Sequence, residues 1–96
     1  MFVFTPKRNV IKLPFGATTL DFAYAVHSDI GNTFMGAKVN GKMVTIGTKL
    51  NTGDVCEILT RKNIKPNIKW LEYATTAQTR SKIRKYLREH YKTQLL

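Results

Sequence analysis

Residues 21–32 read DFAYAVHSDIGN, and they hold the side chains best suited to contact chemistry. An imidazole, His27, closes a short apolar run; Asp29 follows two residues on and Asn32 three after that. A histidine at a helix end can stack on an exposed base or donate to a phosphate or ribose hydroxyl. It can equally be a packed ring satisfied by Asp29 or a nearby carbonyl. Tyr24, one turn earlier on the same face, reads as a core residue rather than a stacking platform. A second group of polar residues lies near the other terminus, where Arg80, Lys82, Arg84, Lys85 and Arg88 crowd into one stretch. Cations at that density can neutralise several phosphates. They can also form a solvated helix face or meet an acidic partner.

Catalytic chemistry has little to stand on. The chain has no glycine-lysine phosphate loop, no dinucleotide fingerprint and no Cys/His spacing suited to a metal, so neither catalysis nor a cofactor is expected. Its single cysteine, Cys56, falls within a strand pattern and reads as a small buried hydrophobe. Asp54 and Glu57 are explained by turn chemistry and surface charge.

The elements that must position these groups are legible from spacing. FVFT (2–5) and VIKL (10–13) flank PKRN, a hairpin pattern with turn formers at Pro6 and Asn9. Thr18 stands three residues before Asp21, a relative of the capping box, and LDFAYAVH continues as about two helical turns. SDIGN ends that helix, with Gly31 available for a left-handed residue. MGAKVNGKMVTI (35–46) is a second hairpin about Asn40-Gly41. VCEILT (55–60) is a fifth strand, apolar on both faces as a central strand would be. The order β-β-α-β-β-β, with one helix covering one face of a small mixed sheet, is an α+β arrangement of the β-grasp, or ubiquitin-like, kind.

RKNIKPN (61–67) loses the apolar alternation and contains a proline, so it reads as a linker. Two further helices are expected, IKWLEYA (68–74) and AQTRSKIRKYLREHYKTQLL (77–96), with Thr75 or Thr76 as the cap of the second. Residues 1–61 thus form the β-grasp unit and 62–96 a linker with a basic helical segment. Two such helices cannot bury Trp70, Leu71, Ile83 and Leu87 by themselves and must dock elsewhere.

Ninety-six residues allow one small domain or one domain and a fragment of another. Sixteen Lys and Arg against six Asp and Glu give a net charge of +10, and ten of the sixteen cations lie in residues 61–96. Such asymmetry favours a polyanionic partner, nucleic acid first and an anionic membrane second. No apolar run approaches the ~18 residues of a membrane span, so no membrane partner is expected. Met1 leads straight into a strand rather than a signal peptide, and one cysteine forms no internal disulfide; a cytoplasmic setting is expected.

The stretch VFTPKRNVIKLPFGATTLDFAYAVHSDIGNTFMGAKVNGKMVTIGTKLNTGDVCEILT resembles the TGS domain found in threonyl-tRNA synthetases, certain GTPases and RelA/SpoT proteins. Its spacings are particularly similar to those of the long RelA/SpoT (p)ppGpp synthetase/hydrolases, as is the following WLEYATTAQTRSKIRKYLRE. Two positions depart from the pattern: Arg8-Asn9 replaces the usual Gly-Asp, and Asn32 stands where some relatives carry a second histidine. The resemblance implies a non-catalytic regulatory domain of a protein that is a GTP pyrophosphokinase (GTP diphosphokinase), a (p)ppGpp 3′-pyrophosphohydrolase, or both, acting in the stringent response. It implies partners too: deacylated tRNA, the ribosome and the catalytic domains of the same chain. By the same resemblance His27, Asp29 and Asn32 would meet the CCA 3′ end of the tRNA, and an esterified amino acid would be excluded by collision. Arg80, Lys82, Arg84, Lys85 and Arg88 would contact RNA phosphates. The alternatives are a docking module that restrains the catalytic half, or a TGS domain from a synthetase or GTPase, against which the helical tail argues.

Overall fold

The computed structural model describes residues 1–91. The expected continuation of the last helix to residue 96, with Lys92 on its basic face, lies outside the described residues. Strand β1 (Phe2–Phe4) pairs antiparallel with β2 (Val10–Lys12), matching Phe2 to Lys12 and Phe4 to Val10. Strand β3 (Phe34–Val39) lies between β4 (Lys42–Val44) and β5 (Cys56–Thr60), antiparallel to both. The two sheets meet where Phe4 bridges Val55 in parallel, so β5 stands between β1 and β3 as its two-sided apolarity requires. Helix α1 (Thr19–Val26) covers one face; its Leu20, Phe22 and Ala23, with Val3, Ala37 and Cys56 of the strands, are fully or almost fully buried. This is the β-grasp arrangement. The opposite face of the sheet is open and carries exposed Phe2, Val10, Met43 and Val55.

Turn chemistry follows the sequence in one hairpin and departs from it in the other. Asn40 and Gly41 both take positive φ, 53° and 83°, the pair of values a two-residue type I′ turn needs. In the first hairpin Asn9 was the natural turn residue, yet Arg8 is the one that takes the left-handed conformation, at φ 68°. The Arg8 N–H donates to the Thr5 carbonyl at 2.8 Å and the Thr5 N–H to Asn9 at 2.9 Å. This closes a loop whose left-handed position falls at Arg8, between the turn formers Pro6 and Asn9. For a residue with a Cβ that conformation costs ~1–2 kcal/mol.

SDIGN does not simply end the helix. It forms a second short helix, α2 (Ser28–Asn32), set off from α1 by the extended His27. Gly31 is not in the left-handed region; it lies within α2, and its lack of a side chain serves packing instead. A Cβ there would stand 2.4–2.6 Å from the Tyr24 ring, so only glycine lets α2 fold against α1.

The C-terminal segment docks on the β-grasp unit. A 3-10 helix (Ile68–Glu72) replaces the expected α-helical turns, and α3 (Ala77–His90) follows. Trp70, Ala74, Ile83 and Leu87 join one core with Leu20, Phe22 and Phe34, and Trp70 meets Phe34 edge-on with ring centroids 6.4 Å apart. No described helix is long and apolar enough to cross a membrane.

One carboxylate fastens the two parts. Asp21 is 1% exposed and accepts from the Thr18 N–H at 2.9 Å, completing the capping box of α1. It also accepts from the Thr75 hydroxyl at 2.6 Å and from the N–H groups of Thr75 and Thr76 at 3.1 and 3.2 Å. The negative charge therefore sits at the start of α1 and of α3 together, where both helix dipoles favour it. Thr76 is left to cap α3 through the Thr79 N–H. Burial pushes the Asp21 carboxyl upward, but the Thr75 hydroxyl and the N–H groups of Thr18 and Thr76 together hold it below its ordinary value.

Candidate functional site

His27 occupies the joint between the two helices, as C-cap of α1 and N-cap of α2. Its Nδ1 accepts the Asp29 N–H at 3.0 Å, which caps α2 with a ring rather than the usual hydroxyl or carboxamide. With Nδ1 an acceptor, the neutral ring carries its proton on Nε2. The side chain is 63% exposed. One ring nitrogen is thus satisfied locally, while the ring as a whole stands mostly exposed rather than packed in the core.

Asp29 and Asn32 lie on the same short helix but in different surroundings. The Asp29 side chain is 90% exposed and stands 3.7 Å from His27 Nδ1, while its carbonyl accepts the Thr33 hydroxyl. Asn32 is half-buried, and its Oδ1 accepts the Tyr24 hydroxyl at 2.7 Å. Tyr24 is 1% exposed and belongs to the core; burial raises its phenol well above the ordinary value.

The five cations of α3 divide by role. Arg80 donates to the Ala74 carbonyl at 3.3 Å, and Lys82 donates to the Tyr24 carbonyl at 3.2 Å, placing positive charge against the C-terminal end of α1. Arg84, Lys85 and Arg88 are exposed. Lys82 and Lys85 line a groove of about 250 Å3 with Tyr86 and Glu89, and its far wall is Ser28 and Asn32 of α2. The fold therefore brings the basic helix beside the histidine corner, two regions more than fifty residues apart in the chain.

A second groove, about 490 Å3, lies on the other flank of α2. Phe22, Val26, Ile30, Cys56 and Ile58 line it, with Pro6 and Lys7 of the first hairpin at its rim. Sequence reasoning missed this one. The signal was present as two adjacent cations, Lys7 and Arg8, at a tight hairpin tip, but nothing local said what the tip faces. Cys56 sits at the floor with no exposed surface; burial and, secondarily, the Asp54 charge push its thiol up to about 12, which suits the packing role expected of it.

A family model described as the TGS domain matches residues 1–60. Over 96 residues, all of this chain, the sequence is 45% identical to a GTP pyrophosphokinase of Myxococcus xanthus, of which it covers 13%. It is 46% identical over 88 residues, 92% of the chain, to a guanosine-3′,5′-bis(diphosphate) 3′-pyrophosphohydrolase of Vibrio cholerae, covering 12% of that protein. With the bifunctional (p)ppGpp synthase/hydrolase RelA of Mycobacterium tuberculosis it shares 41% identity over 98 residues, the whole chain and 13% of that relative. The chain spans about an eighth of the length of the curated relatives it matches. The similarity continues past residue 60, through the helices that complete the core. From the β-grasp architecture, the family match and these RelA/SpoT homologues, the chain belongs to the TGS domain family.

Proposed function

We propose that this chain is a non-catalytic regulatory part of a long (p)ppGpp synthetase/hydrolase and that its α1–α2 corner recognises the CCA 3′ end of deacylated tRNA. The observation that supports this most is His27, held by the Asp29 N–H, 63% exposed, and next in the chain to Ser28, which lines a groove with Lys82 and Lys85. The Nε2–H donates to a ribose hydroxyl or phosphate of the terminal nucleotide, and the ring face packs on its base. Asp29 and Asn32 flank that contact. Lys85, Arg84 and Arg88 take phosphates further up the acceptor strand, with Arg80 and Lys82 adding charge from their anchored positions. A close fit around the terminal ribose leaves no space for an esterified amino acid, so charged tRNA is rejected by collision. The ribosome would present the tRNA in the cytoplasm, and the catalytic domains of the same chain would receive the signal.

The test is binding of deacylated and aminoacylated tRNA to the 96-residue chain and to the full-length protein that carries it. Deacylated tRNA is expected to bind better, and His27→Ala to lose about tenfold of that preference, the loss of one stacked or hydrogen-bonded contact. Equal binding of both tRNAs, unchanged by His27→Ala, would refute the reading. Arg84→Ala and Lys85→Ala should each shallow the salt dependence by about 0.7–0.9 in log–log slope. A second reading is intramolecular docking, favoured by the exposed Phe2, Val10, Met43 and Val55 on the open sheet face. It predicts that the chain, added in trans, changes the catalytic half's activity without tRNA.

A further inference from the structure

Strand β2 is the outer edge of its sheet, and its backbone faces outward at two residues. Across the first hairpin the Leu13 N–H donates to the Met1 carbonyl and the Thr5 N–H to the Asn9 carbonyl, each at 2.9 Å. Bonded and non-bonded pairs alternate along an antiparallel ladder. Val3 with Ile11 is therefore the bonded pair between them, while Phe2 with Lys12 and Phe4 with Val10 turn their peptide groups away from each other. Strand β1 uses its outward groups on the chain before β5: the Gly53 N–H donates to the Phe2 carbonyl and the Phe4 N–H to the Asp54 carbonyl, both at 2.8 Å. The N–H and C=O groups of Val10 and Lys12 point the other way, and no described residue pairs with them.

The space beside this edge is a cavity of about 280 Å3, enclosed by Leu13 and Pro14 at the end of β2, Tyr24 and Ala25 of α1, and the first turn of α3. Such a volume suits side chains rather than a drug-sized ligand. Its single acid is Asp21, which is 1% exposed and already accepts from the donors at both helix starts. Two cations flank the cavity, Lys12 from β2 and Lys82 from α3. Lys12 has no ion-pair partner among the described residues. On the open face of the sheet Val10 and Phe2 are half exposed.

We propose that β2 is a docking edge to which an extended, acidic segment of a partner protein adds as a further strand, pairing its backbone with Val10 and Lys12 and setting a carboxylate into the cavity that Lys12 and Lys82 flank. In strand addition the main chain supplies affinity and the alternate side chains supply choice. One set of the added side chains falls beside Val10 and Phe2, where apolar groups are favoured, and the other over the cavity, where a carboxylate is. A lysine on an edge strand blocks indiscriminate pairing. Here it also acts against a second copy of this chain, which carries net charge +10 and would bring its own Lys12 to the same edge. The docking goes beyond the RNA contact at His27 and needs no nucleic acid.

The probe is a capped peptide of alternating valine and glutamate, with one of alternating valine and lysine as control. Each is added to the 96-residue chain, followed by amide exchange, and to the full-length protein that carries it, followed by anisotropy of the labelled peptide. In the free chain the Val10 and Lys12 amides should exchange quickly and the Ile11 amide slowly. The glutamate peptide should slow the first two by about tenfold or more. It should also bind about tenfold or more tightly than the lysine peptide. Val10→Pro removes an outward N–H that β1 does not use, so Trp70 fluorescence should report an intact fold while binding weakens about tenfold, the loss of one backbone bond. Lys12→Glu should reverse the preference between the two peptides. If Val10→Pro unfolds, Lys12→Glu decides: an unchanged preference overturns the proposal. Exchange at Val10 and Lys12 that neither peptide alters, or equal binding of both peptides, overturns it as well. Protection of the same amides that grows with chain concentration in the absence of peptide assigns the edge to a second copy, and a full-length protein that leaves the peptide unbound assigns it to the rest of its own chain; either result sinks the partner docking.

Discussion

Asp21 offers the sharpest test of how this chain is held together. The carboxylate accepts three backbone N–H groups and the Thr75 hydroxyl, and these donors come from the first turn of α1 and the residues that start α3. Asp21→Ala orphans all four. The Thr18 N–H is buried and costs about 2 kcal/mol; the Thr75 and Thr76 groups are partly reached by water and cost about 1 kcal/mol each. A loss near 5 kcal/mol is comparable with the whole stability of many small domains. Asp21→Asn keeps the shape but turns an amide NH2 toward N–H donors and removes the charge from two helix dipoles, for about 2–3 kcal/mol. Trp70 is the chain's only tryptophan and is buried against Phe34, so its fluorescence reports the docking of the C-terminal segment. Urea unfolding followed by Trp70 fluorescence should show the loss in Asp21→Asn, and fluorescence should report the transition at lower urea than far-UV circular dichroism. Because the folded carboxyl titrates below its unfolded value of about 3.9, its stabilisation is complete above that pH and fades as pH falls through the folded value. Asp21→Asn should therefore flatten the acid limb of the stability curve. A variant within 0.5 kcal/mol of the parent, with the acid limb unchanged, would refute this account of the joint.

Two further predictions concern the frame of the site. Gly31→Ala, a change that ordinarily strengthens a helix by about 1 kcal/mol, should instead destabilise by about 2–3 kcal/mol because the new methyl meets the Tyr24 ring; a rise in the urea midpoint would show that α2 shifts freely. Cys56, fully buried with its thiol pushed up to about 12, should resist a thiol reagent at neutral pH in the folded chain and react at the unfolding-limited rate when urea is added. Rapid labelling without urea would mean that the groove opens down to its floor.

The histidine corner shows where sequence reasoning is strong and where it stops. The capping pair Thr18 and Asp21, the Asn40-Gly41 turn and the stripe of Ile83 and Leu87 are local patterns whose outcome local physics decides, and each takes the expected form. Arg8 and Gly31 took other conformations than their types alone imply, because the loop closure at Thr5 and the Tyr24 ring outweighed intrinsic preference. The sequence reads Lys82 as one of the cations for RNA phosphates; its contact with the end of α1 comes from a neighbour fifty-eight residues away that no window of sequence contains.

By itself the sequence determined the order of elements, the excess of positive charge toward the C-terminus and the histidine at a helix end, all consequences of residue type and short-range spacing. Only the tertiary structure decided which surfaces meet. A buried carboxylate joins two helix starts, α2 separates a basic groove from an apolar one, and the second groove runs beneath the first hairpin. These arise from long-range packing, where the burial of Trp70, Ile83 and Leu87 fixes the position of α3 and thereby what its cations face.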